Sequence, residues 1–203
     1  MKRIFSIRTI ITLLVITTSA SSFSSLVQIR DVDLKNASQY IDEGSYLKAL
    51  RIYKNIETEL ATLDNVQKSQ IFNNMGFCSY KLKMIDDAES YYRRALLINN
   101  QYVFCLNNLG VLFMNRRKYD EALEMLERAY EIDKKNIKVI INLAVCYGSL
   151  REEEKAISYL AAAFVIDENY TRLRLKKHHY SKQDIQKVEE YVRSKKVGDG
   201  KNN

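Results

Sequence analysis

One spacing constrains this chain more than anything else. NNMGFCSYKLKMIDDAESYYRRALLIN begins at Asn73, its near-copy NNLGVLFMNRRKYDEALEMLERAYEID begins 34 residues later at Asn107, and INLAVCYGSLREEEKAISYLAAAFVID follows at the same interval from Ile141. A period of this length marks a small structural unit that cannot bury its apolar face alone, so units must stack. Gly76, Gly110 and Ala144 hold one place in the three copies. Ala88, Ala122 and Ala156 hold a second, and Ala95, Ala129 and Ala163 a third, with Tyr92, Leu126 and Leu160 between them. Phe72 with Met75, Leu106 with Leu109, and Ile140 with Leu143 precede the small position.

This order of small and large residues has a physical reading. Each unit holds two helices, one centred on the Gly76 type of position and one on the Ala88–Ala95 stretch. Small residues let two backbones approach, and the large ones fill the space beside the contact. Composition agrees: the 203 residues include no Pro and only six Gly, too few for the tight turns of a strand-rich fold. The expected class is all-α.

A fourth copy stands upstream in YIDEGSYLKALRIYKNI, where Tyr46, Ala49 and Tyr53 repeat the spacing of Tyr119, Ala122 and Leu126. The spacing predicts units at 30–68, 69–102, 103–136 and 137–170. The first is five residues longer, through an extended second helix or a longer loop around Thr58 to Asn65. A stack needs a polar lid. Residues 171–194 are read as capping helices, the last opened by Ser181 to Asp184 and presenting Ile185, Val188, Tyr191 and Val192 on one face. Residues 195–203 are expected to be a disordered tail.

Together these residues resemble the tetratricopeptide repeat family from Arg30 to Tyr170. Leu109-Gly110, Tyr119, Ala122 and Ala129 at one fixed period carry the likeness. Phe72, Leu106 and Ile140 stand where the family has Trp, and Asn100, Lys134 and Glu168 where a proline usually ends each unit. The resemblance implies antiparallel helix pairs in a right-handed superhelix whose first helices line a concave groove. Asn74, Asn108 and Asn142 then fall one per unit on that face, beside Phe77, Val111 and Val145. Tyr80 and Met114 follow, with Phe104 at the groove edge. An asparagine both donates and accepts, so such a row suits the backbone of an extended peptide, or bonds within the repeat. Some members grip a C-terminal carboxylate through basic residues of successive first helices. The comparable places here hold Asn73, Phe77 and Asn142, with only Lys138 basic, so no such clamp is expected.

The N-terminus has the order of a secretory signal peptide. Lys2, Arg3 and Arg8 precede an apolar run from Ile10 to Ile16, and small residues follow from Thr17 to Ser22. The run is far shorter than the roughly 20 residues of a membrane span. Residues 1–22 are read as a cleaved leader, with cleavage near Ala20 or Ser22 and export to the periplasm or beyond. An uncleaved anchor is the alternative.

The net charge of +7 sits at the chain's ends. The body from Ser21 to Thr171 has 19 basic and 21 acidic residues, so nucleic acid is not the expected partner of the body. The basic run from Arg172 to Lys177 offers a second reading, contact with nucleic acid or an anionic membrane surface. Cys78, Cys105 and Cys146 are read as buried free thiols, since Cys78 and Cys105 sit about 10 Å apart along parallel helices. His178 and His179 are adjacent, point apart and lie beside Lys176 and Lys177, so no metal is expected. No catalytic constellation, phosphate loop or cofactor motif is visible. The residues thus lead to a non-catalytic scaffold that binds a protein or peptide client, in assembly of an envelope machine such as a pilus or secretion system. A chaperone-like holder of an exported client is the nearest alternative. Oligomeric state is not encoded legibly.

Overall fold

The computed structural model describes residues 31–58, 60–177 and 181–199. The leader expected at 1–22 and the pair His178-His179 lie outside them. The chain divides after Leu63 into two compact units.

The first unit holds α1, described over residues 31–42, and α2 (Tyr46–Glu57), followed by a 3-10 turn at Leu60–Thr62. Gly44 turns the chain between the helices at φ +74°, a region glycine enters freely. The N–H of Ser45 then reaches Tyr40 O at 2.7 Å. The extra length expected here is not an extended second helix: α2 stops at Glu57, its last turn closed by the Thr58 hydroxyl donating to Asn55 O at 2.8 Å, and the added residues fall in a longer connection and in an earlier start of the next helix, which begins at Asn65 and has 17 residues.

The second unit runs α3 (Asn65–Lys81), α4 (Ile85–Ile98), α5 (Val103–Asn115), α6 (Tyr119–Ile132), α7 (Ile137–Ser149), α8 (Glu153–Ile166), α9 (Glu168–Lys177) and α10 (Lys182–Asp199). α3 pairs with α4, α5 with α6 and α7 with α8, while α3, α5 and α7 lie side by side. The hairpins close at the small residues. A Cβ on Gly76 would sit 2.7 Å from the Tyr92 ring, and one on Gly110 2.7 Å from Leu126 Cγ. Ala88, Ala95, Ala122, Ala129, Ala144 and Ala163 have no exposed surface, and Ala156 has 6%.

Every hairpin turns in the same way. Lys83, Arg117 and Arg151 adopt φ of 65°, 57° and 63°, at the place Gly44 holds in the first unit. The next N–H reaches back over the turn, Met84 to Ser79 O, Lys118 to Phe113 O and Glu152 to Tyr147 O, satisfying a carbonyl the helix leaves open. The left-handed backbone costs a non-glycine residue about 1–2 kcal/mol, and these hydrogen bonds offset it.

Three expected boundaries move. The break at 68/69 falls inside α3, because Asp64 caps that helix: its carboxylate accepts from Gln67 N–H at 2.8 Å while Gln67 Oε1 accepts from Asp64 N–H at 3.2 Å. The break at 170/171 falls inside α9, whose first turn is held by Asp167 accepting from Tyr170 N–H at 2.8 Å. The tail expected from residue 195 is helical as far as Asp199, since nothing before Gly198 interrupts α10. Its start is where the sequence places it, with Ser181 and Asp184 capping each other at 3.0 and 3.1 Å. Ile185, Val188, Tyr191 and Val192 pack with Leu160 and Phe164 of α8.

Candidate functional site

The face shared by α3, α5 and α7 is built by side-chain hydrogen bonds from one first helix to the next. Asn108 Nδ2 donates to Asn73 Oδ1 at 3.0 Å, Asn142 Nδ2 to Asn107 Oδ1 at 2.7 Å, and Asn115 Nδ2 to the Tyr80 hydroxyl. Each bond spans 35 residues, one more than the period. Contact between neighbouring first helices therefore joins residues one place apart in the repeat. Asn73 also donates to Asn74 Oδ1 at 3.3 Å, so Asn108, Asn73 and Asn74 form one chain of amides.

Sequence reasoning selected Asn74, Asn108 and Asn142 as a single row and missed their partners Asn73 and Asn107. The doublets Asn73-Asn74 and Asn107-Asn108 were the available signal. Asn142 is only 5% exposed and Asn73 6%, so these two amides serve contact between helices and offer a ligand little surface. Asn108 differs. It is half-buried, and its Oδ1 makes no hydrogen bond among the described residues.

Around these amides the face is half-buried and largely apolar, with Phe77, Tyr80, Val111, Met114 and Val145. The Lys81 ammonium lies 5.3 Å from the Phe77 ring centroid, a cation–π arrangement. Burial raises the Tyr80 phenol above its ordinary pKa, so its hydroxyl stays neutral. Phe104 lies at the start of α5, 58% exposed and edge-on to Tyr102 at 6.0 Å. Lys138 is exposed at the start of α7 and pairs with no acid among the described residues. The face thus combines apolar side chains with amide groups, the chemistry that suits an extended segment with a backbone to satisfy and apolar side chains to bury.

The other candidates lead elsewhere. Cys78, Cys105 and Cys146 are free and fully buried. In the basic C-terminal run, Arg172 is paired with Glu189 at 2.6 Å and Glu168 at 2.9 Å, so part of its charge is already met within the chain. Among the described residues no group of three His, Cys, Asp or Glu side chains could hold a metal ion, and no helix is long and apolar enough to cross a membrane.

Two tetratricopeptide repeat family models match the chain, at residues 67–135 and 113–177, together more than half of it. Among solved structures, MamA from Desulfovibrio magneticus RS-1 superimposes with a TM-score of 0.60 at 19% identity, over 81% of this chain and 96% of that one. YrrB, described as a repeat protein with an unusual peptide-binding site, gives 0.57 at 23% identity over 70% and 71%. The repeat domain of Arabidopsis OM64 gives 0.50 at 24% identity over 56% and 98%. No curated protein sequence matches. At these identities the solved structures speak for the fold.

Proposed function

The chain belongs to the tetratricopeptide repeat family, whose fold is one of protein–protein interaction, and from that premise we propose that it is a non-catalytic scaffold holding an extended segment of a partner protein on the face of α3, α5 and α7. One observation carries the reading: the half-buried row Phe77, Val111 and Val145 runs beside Asn108, whose acceptor is open. Such a face satisfies a peptide's backbone and buries its apolar side chains in one step. The peptide-binding site described for YrrB supports this by analogy of fold alone. The client is an exported protein, and the role is in assembly of an envelope machine. That part rests on the leader pattern of residues 1–22 and on family analogy.

Asn108→Ala is a poor test, because it also strips the buried Asn73 of its donor. A photo-crosslinking residue at Val111 is better, compared with the same residue at Ser90, on the exposed side of α4, and at Lys176. Capture from Val111 alone is expected, and Met114→Glu should lower it at least about tenfold by placing an unpaired charge in the contact. Capture from Lys176 alone would move function to the C-terminal helices. For the exported reading, N-terminal sequencing of the native protein should find a new terminus near Ala20. An intact Met1 would overturn it.

A further inference from the structure

The face of α3, α5 and α7 ends against α10. That helix does not pair with α9 as α4 pairs with α3; it lies across α8. Between α7, α8 and the first half of α10 this crossing leaves a cavity of about 400 Å³, within the size range of ligand pockets. Its floor is apolar, from Val145, Leu160 and Val188, and its mouth carries Glu153, Asp184 and Lys187. Val145 also closes the row Phe77, Val111 and Val145, so the cavity continues the face to which the partner is assigned.

The charges at the mouth do not balance. Glu153 makes no ion pair among the described residues, while its neighbour Glu152 takes Lys155 at 2.6 Å. Asp184 accepts from the Ser181 hydroxyl at 2.7 Å and the Ser181 N–H at 3.0 Å. These bonds hold its carboxyl below the usual range, so it is ionised at neutral pH. Two carboxylates therefore stand against one ammonium, above an apolar floor. An acid in the first turn of α8 also suits the helix dipole. Of the two acids in that turn, Glu153 lines the cavity and Glu154 does not.

We propose that this cavity receives a basic side chain, arginine above all, of the partner segment: its aliphatic stem lies on Val145, Leu160 and Val188, and its charged head meets Glu153 and Asp184. An arginine is apolar along its stem and cationic at its tip, which matches floor and mouth together. The assignment rests on the groove reading for the identity of the partner, but not for the chemistry of the pocket.

The test uses the full-length protein and three short probes. Acetyl-Gly-Gly-Arg-Gly-Gly-amide is titrated against its citrulline and norleucine counterparts, following the NMR amide signals of Gly148, Ser149 and Val188. Saturable shifts are expected with the arginine probe, at least about fivefold tighter than with citrulline, which keeps the shape and loses the charge. Glu153→Lys should abolish that preference. Lys187→Glu should tighten arginine binding, a gain that misfolding does not produce. Equal binding of all three probes, or no shift with arginine, would overturn the proposal. Arginine binding without capture of a client from Val111 would sink the groove reading and leave the pocket standing. Capture from Val111 with no arginine shift would do the reverse.

Discussion

Replacing Ala122 by leucine is expected to lower the thermal midpoint of the protein by about 2–12 °C. Ala122 has no exposed surface, and its carbonyl lies 3.4 Å from where a Cβ on Gly110 would sit. Leu126, also fully buried, already occupies the space beside Gly110. Three added carbons have nowhere to go unless α5 and α6 separate. Overpacking of this kind costs about 1–3 kcal/mol, and each kcal/mol is worth about 2–4 °C in a chain of this size. Gly110→Ala should act in the same direction, since its new Cβ would meet the branch point of Leu126, which cannot swing away as a chain end does. The helix propensity gained on replacing glycine, up to about 1 kcal/mol, offsets only part of that. Calorimetry decides both. Unchanged midpoints would mean that α5 and α6 meet at other residues than these.

The same contacts explain why the fold was legible in the sequence. A hairpin of two helices in a stack has one place where the backbones touch, and only Gly or Ala fits it. Gly76, Ala88 and Ala95 therefore recur as Gly110, Ala122 and Ala129, and the period exposes them. Turns and ends obey local chemistry that a period does not report. Lys83, Arg117 and Arg151 take the left-handed backbone where glycine would have announced it, and Asp64 sets the start of α3 four residues ahead of the expected unit boundary. The binding face was legible only in outline. Phe77, Val111 and Val145 follow from the repeat because they keep its 34-residue spacing. The amide partners do not, because Asn73 and Asn108 meet across 35 residues: the edges that two neighbouring helices present to each other carry different places of the repeat. The cavity beside α10 was not legible at all, since it arises where the repeat stops.

The three thiols give the protein an alkaline limit to its stability. A thiol in the unfolded chain ionises near 9.0. Burial pushes Cys78 and Cys105 up to about 12 and Cys146 up to about 11. Two of them also use the proton they keep: Cys105 Sγ donates to Tyr92 O at 3.3 Å and Cys146 Sγ to Tyr119 O at 3.6 Å. The folded chain thus holds protons that the unfolded chain releases, and a group whose pKa folding raises stabilises fully only below its unfolded value. The thermal midpoint should be level across roughly pH 7–8.5 and fall above about pH 9, as stability drains toward the folded values near 11 and 12. Burial also raises Tyr92 and Tyr147 above their ordinary value of 10.0, so the fall steepens beyond that point. Cys78→Ala separates this linkage from general alkaline damage. It should lower the midpoint at neutral pH, where it leaves a small cavity, yet lose less on going to alkaline pH than the parent chain does. At neutral pH a thiol reagent should label the native protein no faster than it unfolds, even after passage through an oxidising compartment, because none of the three thiols reaches the surface. Rapid native labelling, or a midpoint indifferent to alkali, would show that the helices do not enclose these sulfurs.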